Sequence, residues 1–122
     1  MTSLASEIGA RGEAAAVEWL RGQGYLIEEL NWRAGRYEID IIASRWDEIH
    51  FVEVKTRMVG GWQSPEQAMT RHKCESLIKA ARPYLAMKRC QLEPLFDLIA
   101  VDVQPNGEME IRMVENVIES RW

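Results

Sequence analysis

The stretch Glu38–Lys55, EIDIIASRWDEIHFVEVK, decides the fold. It contains two runs rich in β-branched and aromatic residues, Glu38–Ala43 and Ile49–Lys55, separated by a short polar break, and so predicts two antiparallel strands. Alternation along the second run places Ile49, Phe51, Glu53 and Lys55 on one face and His50, Val52 and Val54 on the other. In the first run Glu38, Asp40 and Ile42 oppose Ile39, Ile41 and Ala43. Both faces are largely apolar, so the sheet is expected to be covered on both sides.

Working outward, Leu4, Ile8, Ala15, Ala16, Trp19 and Leu20 form the stripe of an amphipathic helix over Leu4–Arg21, ended by Gly22 and Gly24. Tyr25–Leu30 reads as a short strand. Met58–Pro65 is a loop with Gly60, Gly61 and Trp62. A second helix starts at Glu66 or Arg71 and runs to about Lys88, with Pro83 expected to kink or divide it. Leu95–Val103 is a strongly apolar strand, Pro105-Asn106-Gly107 a turn, and Met109–Val114 a weaker last strand. The order is α-β-β-β-α-β plus a C-terminal strand, a mixed sheet packed by helices, and 122 residues without a linker or repeat are expected to form one domain, residues 1–122.

The formal net charge of −4 argues against a general nucleic-acid coat, whose backbone contacts require a surplus of Lys and Arg. The charge is unevenly spread. Arg71, Lys73, Lys79, Arg82, Lys88 and Arg89 face only Glu75 within residues 71–90, whereas 91–122 carry seven acidic and two basic side chains. Such a basic stripe is either a nucleic-acid contact or simply a solvated helix face. Cys74 and Cys90 fit no metal spacing, the N-terminus lacks the basic and apolar regions of a leader, and no apolar run reaches membrane-spanning length. The expectation is a cytoplasmic protein with reduced thiols and no membrane partner.

A two-residue turn at Trp46-Asp47 would bring Asp40 opposite Glu53 and Glu38 opposite Lys55, all on one face. A loop one residue longer would pair residue 40 with 54 and scatter the group. Two carboxylates about 4 Å apart repel by about 4 kcal/mol at an effective dielectric near 20, so either one protonates or a cation sits between them. Oxygen ligands with room for water suit Mg²⁺ or Mn²⁺. Lys55 would then serve a metal-bound water or charge on a phosphate. Cross-strand ion pairs are the alternative reading of the same spacing.

Asp40 followed by Glu53-Val54-Lys55 on the next strand, with Glu13 on a preceding helix, resembles the PD-(D/E)XK restriction-endonuclease-like superfamily. More narrowly, the chain resembles the YraN-like bacterial family of predicted endonucleases, related to archaeal Holliday junction resolvases. The matching segments are Gly9–Leu20, Gly24-Tyr25, Asn31-Trp32-Arg33, Glu38-Ile39-Asp40 and Phe51–Arg57, with Pro65, Ala68, Lys73, Ala81, Leu85 and Phe96-Asp97 at family-like positions. The resemblance implies a three-layer αβα core and a metal-dependent endonuclease acting on nucleic acid, DNA foremost and branched DNA in particular. It makes Asp40 and Glu53 metal ligands with the Val54 carbonyl as a third, Lys55 the catalytic lysine, and Glu13 a contributor from the first helix, with Mg or Mn as cofactor. Glu38 would stand behind the ligands. Arg33, Arg36, Gln67, Arg71 and Lys73 would contact substrate. Without the resemblance, Glu13 reads as an exposed helix carboxylate and Gln67 as an exposed amide at a helix start. Tyr37 stands where the family usually has glycine, and Leu95 where it usually has arginine.

Asp97, in an apolar strand, reads first as a hydrogen-bonded structural aspartate, with a metal neighbour as the alternative, and His50 as an imidazole flanking the core. Trp32 and Trp62 are candidates for stacking on bases, with core packing or a dimer contact as the alternative. Five tryptophans and the resemblance to resolvases suggest a homodimer. The competing function is an accessory module that binds nucleic acid and retains the nuclease fold without cleaving. A small-molecule phosphohydrolase would need a phosphate-cradling glycine loop, for which Gly60-Gly61 is poor material.

Overall fold

The computed structural model describes residues 4–60, 64, 66–88 and 91–118. Gly61, Trp62, Pro65, Arg89 and Cys90, which entered the sequence reading, lie outside the described residues. The elements are α1 (Leu4–Gly22), β1 (Leu26–Ala34), β2 (Tyr37–Arg45), β3 (Glu48–Met58), a 3-10 turn (Glu66–Ala68), α2 (Arg71–Met87), β4 (Glu93–Val103) and β5 (Met109–Val114). The strands form one mixed sheet in the order β1-β2-β3-β4-β5, antiparallel except for the β3–β4 pair, which α2 connects. The chain is an α/β protein with a helix on each face of the sheet, the architecture expected of a restriction-endonuclease-like core.

The two helices bury two separate apolar clusters. On one face Ala16, Val17 and Leu20 of α1 pack on Ile41, Ala43, Val52, Ile99 and Val101. On the other, Cys74, Leu77, Ala80, Ala81 and Tyr84 of α2 pack on Ile39, Ile42, Ile49, Phe51 and Leu98. Burying both faces is why these strands read as nearly continuous apolar runs. Among the described residues no helix is long and apolar enough to cross a membrane.

The β2–β3 hairpin has the two-residue turn at Trp46-Asp47, giving the register Arg45↔Glu48 to Ile41↔Val52. The ladder ends there. The Asp40–Glu53 and Glu38–Lys55 pairs lie beyond its last registered pair, and on the other side β1 skips Asn31 opposite Asp40, pairing Leu30 with Ile41 and Trp32 with Ile39. Ile39 joins the α2 cluster and Ile41 the α1 cluster, although strict alternation would put both on one face. The pleat of β2 is therefore reset at Asp40, which corrects the expected grouping of Ile39 with Ile41.

α2 begins at Arg71 because Thr70 caps it, accepting the Lys73 N–H on its side-chain oxygen at 3.3 Å. Of the expected kink or division at Pro83, the division does not occur: the helix runs through Pro83 unbroken. Pro83 is exposed while Leu77, Ala80, Ala81 and Tyr84 hold the buried side, so the missing N–H falls toward solvent. β1 is longer than its apolar content suggested, and a bulge between Ile27 and Glu29 shifts its register.

Gly12 sets how closely α1 approaches β3. A Cβ there would stand 1.9 Å from the Thr56 Oγ1 and 2.8 Å from its Cβ, so only glycine allows this contact. The adjacent residue, Glu13, is thereby brought down to the end of the sheet where the strands part.

Candidate functional site

Where β2 and β3 separate, an open cleft of about 320 Å³ is lined by Arg36, Tyr37, Glu38, Asp40, Glu53, His72, Lys73, Ser76 and Leu77. Three of the carboxylates singled out in the sequence face it from two strands, and α2 supplies its opposite wall. The Asp40 Oδ2 accepts the backbone N–H of Val54 at 2.8 Å, occupying the place a ladder bond would have taken. The Lys73 Nζ stands 3.4 Å from Glu53 Oε1. Arg33 Nη2 pairs with Glu38 Oε2 at 3.2 Å on the outer side.

Burial, then the Glu53 charge, push the Asp40 carboxyl up to about 7; Glu38 adds to this, while the Val54 N–H and the Lys73 ammonium oppose it. Glu13 is half-buried and its pKa is also raised, first by burial and then by Asp40 and Glu38. Its side chain faces a neighbouring groove with Ala10, Ala14, Val17, Leu30 and Asn31. Electrostatically, then, Glu13, Glu38, Asp40 and Glu53 form one group, with Asp40 and Glu38 common to both sides.

Mg²⁺ is generally bound through one or two carboxylates, with water and substrate oxygens completing its shell. Asp40 and Glu53 fit that donor set, and the strain on Asp40 is what a cation would relieve. Among the described residues no group of three His, Cys, Asp or Glu converges closely enough to hold an ion unaided.

The other expected residues are distributed as follows. Lys55 is exposed, outside the residues lining the cleft, and without an ion pair among the described residues. Val54 enters through its N–H. Arg36 lines the cleft, its Nη2 donating to Tyr37 Oη at 3.1 Å and its guanidinium lying 5.3 Å from that ring's centroid. Gln67 is engaged in its own turn, its Oε1 accepting the Ser64 N–H at 2.7 Å, and does not line the cleft. Arg71 is exposed at the start of α2, also outside the lining. Trp32 packs inward: Nε1 donates to the Ala80 carbonyl at 3.3 Å and the ring meets Tyr84 edge-on, so it is no base-stacking platform.

Sequence reasoning missed Asn31, His72 and Ser76 as neighbours of the carboxylates. It also missed Trp46, which is 78% exposed at the hairpin tip with φ of 58° and stacks on the Arg45 guanidinium, itself held over Tyr25. A tryptophan in a left-handed turn position gives no signal in a propensity scan, where Gly or Asn is expected.

Beside Tyr25, His50 and Asp97 are buried and joined through Nδ1 and Oδ2, and His50 Nε2 meets Glu48 Oε1 at 3.0 Å. The second Asp97 oxygen accepts the Asn116 N–H at 2.8 Å. Asp97 is thus a structural aspartate, as read from its apolar strand.

The family described as "Uncharacterised protein family UPF0102" matches residues 12–101, a span that includes Glu13, Glu38, Asp40, Glu53, Lys55 and Lys73. A UPF0102 protein of Bacteroides thetaiotaomicron is 39% identical over 106 residues, covering 87% of each chain. One of Porphyromonas gingivalis is 42% identical over 99 residues, covering 81% of this chain and 73% of the relative. One of Chlorobium chlorochromatii is 36% identical over 118 residues, covering 95% and 92%. The chain belongs to the UPF0102 family, the YraN-like family its motifs resemble.

Proposed function

We propose that the protein is a metal-dependent nuclease that hydrolyses phosphodiester bonds in nucleic acid, with Asp40 and Glu53 holding Mg²⁺ or Mn²⁺. The observation that carries this reading is Asp40: a half-buried carboxyl set into a break in the sheet beside Glu53 and Glu38, its pKa pushed up to about 7. Glu38 and Glu53 each have an ion-pair partner, Arg33 and Lys73, whereas Asp40 holds the Val54 N–H and pairs with no cation among the described residues. When bound, the ion would supply the positive charge that polarises a phosphodiester and favours attack by water.

The chain's own residues have separable tasks in this reading. Ionised Asp40 would hold the ion together with Glu53, and the Val54 N–H donated to its Oδ2 orients its carboxylate. Lys73 and Arg36 on the cleft wall grip substrate phosphates, and the exposed face of α2 extends that contact through Arg71, Lys79 and Arg82. Lys55 shares the Glu53 face of β3 by alternation, so a nucleic-acid strand laid along that face meets its ammonium. Asp97 is buried against His50 and Asp102 is paired with Arg57 and Arg112, so neither adds a free negative charge to that surface.

A second reading is a binding module that retains the fold without cleaving. It is favoured by Lys55 lying off the cleft and by the lack of three convergent ligands among the described residues. Cleavage assays on branched, flapped and single-stranded substrates with Mg²⁺ or Mn²⁺ separate the two. Metal-dependent cutting lost in both Asp40→Asn and Lys55→Ala supports the nuclease. Binding of branched DNA without cutting under either metal supports the module.

A further inference from the structure

Asn31 brings together three features that the reading above leaves unexplained. It is one of only three non-glycine residues with positive φ among the described residues, at 51°. It is also the residue β1 skips opposite Asp40, so the break in the β1–β2 ladder and the reset of the β2 pleat occur at its level. Of the two orientations open to its side-chain amide, only one gives the nitrogen acceptors: Nδ2 then donates to Glu13 Oε1 and Glu38 Oε1, each at 3.1 Å.

These features meet at one side chain. A left-handed residue inside a strand costs energy, and asparagine is the side chain that tolerates it best after glycine. The conformation turns the Asn31 amide out of the β1 edge and between a helix carboxylate and a strand carboxylate. Two like charges brought together from α1 and β2 repel, and one amide NH₂ has two hydrogens with which to hold both. Arg33 neutralises the outer oxygen of Glu38 but does not reach Glu13, so Asn31 is the group that ties α1 to the carboxylate set.

We infer that Asn31 is a positioning residue that fixes Glu13 and Glu38 around the Asp40–Glu53 cation site, the inference resting on the metal-dependent reading of that site. Direct partners of metal ligands typically change affinity 10- to 100-fold when removed, and Asn31 acts one step further out, through Glu13 and Glu38, which points to the lower end of that range. Asn31→Gly is the informative variant, because glycine keeps the positive φ and deletes only the amide.

The test uses the full chain and two readouts. In nitrogen–proton NMR spectra, the Asn31 side-chain amide protons should lie away from free-asparagine positions and move in both Glu13→Gln and Glu38→Gln. By calorimetry, Asn31→Gly should bind Mn²⁺ about 10-fold more weakly than wild type, with a melting temperature within a few degrees of it. Amide resonances unmoved by either substitution would overturn the bridge. Equal Mn²⁺ affinity in Asn31→Gly and wild type would overturn the positioning role alone. Absence of Mn²⁺ binding by wild type would overturn the metal reading and the positioning role with it, while the amide resonances, which need no ion, would still decide the bridge.

Discussion

The Asp40 carboxylate accepts the Val54 backbone N–H at 2.8 Å, across the point where β2 and β3 stop pairing. One side chain substitutes for a ladder bond and in doing so opens the sheet. The same carboxyl is left half-buried among Glu53, Glu38 and Glu13, with Lys73 as the opposing charge from α2. Fold and site are therefore coupled at a single residue.

The raised pKa of Asp40 is a statement about stability. Its folded value of about 7 lies above the ordinary 3.8, so its favourable contribution is fully present below about pH 4 and is lost as the pH rises through 7. Asp40→Asn keeps an oxygen for the Val54 N–H and removes the charge. It should stabilise the protein by roughly 3 kcal/mol at pH 8 and hardly at all at pH 4, as measured by urea unfolding at the two pH values. Equal effects at both would contradict the electrostatic account.

His50 provides a second pH-dependent element. Burial disfavours its charged form, but hydrogen bonds and charge from Asp97 and Glu48 outweigh that and raise its pKa above the usual 6.5. Its contribution is present below that value and lost as the pH climbs through the raised one. His50→Ala leaves Asp97 buried with the Asn116 N–H as its remaining described partner, and should cost about 3–5 kcal/mol near pH 6. A loss under 1 kcal/mol in chemical denaturation would rule out a charged buried pair.

Gly12→Ala tests the helix–strand contact. In an ordinary helix interior this change stabilises by up to about 1 kcal/mol. Here the new methyl meets Thr56, so the expected outcome reverses to a loss of about 1–3 kcal/mol, read as a lower melting temperature. A stabilised variant would mean that α1 can move away freely.

Lys73 sits in the cleft with its ammonium 3.4 Å from Glu53, a partly exposed pair of little value to stability. Lys73→Ala should therefore leave melting nearly unchanged. Binding of branched DNA at low salt should weaken several-fold, with the salt dependence reduced by about one ion, as fluorescence anisotropy would show. Unaltered affinity would remove Lys73 from the nucleic-acid contact.

Much of this was legible in the sequence because alternation and apolar content report burial directly. Both helices, all five strands and the two-residue hairpin turn followed from such patterns, and the register brought Asp40 and Glu53 to one cleft. What escaped were features that depend on a single backbone angle or a distant partner. The positive φ of Asn31 and Trp46 is not readable from apolar alternation, nor is the reset at Asp40 that separates Ile39 from Ile41. Pro83 announced a break that the packing of Ala80 and Tyr84 overrides. His50 and Asp97 lie on different strands joined only by the β3–β4 pairing, a parallel contact no local pattern encodes.

The central claim is that Asp40 and Glu53 form a divalent cation site, and thermal unfolding with and without millimolar Mn²⁺ tests it most directly. The ion needs Asp40 ionised, so wild type should be stabilised by Mn²⁺ at pH 8, much less at pH 5, and Asp40→Asn at neither. Identical Mn²⁺ responses in wild type and Asp40→Asn at pH 8 would contradict it.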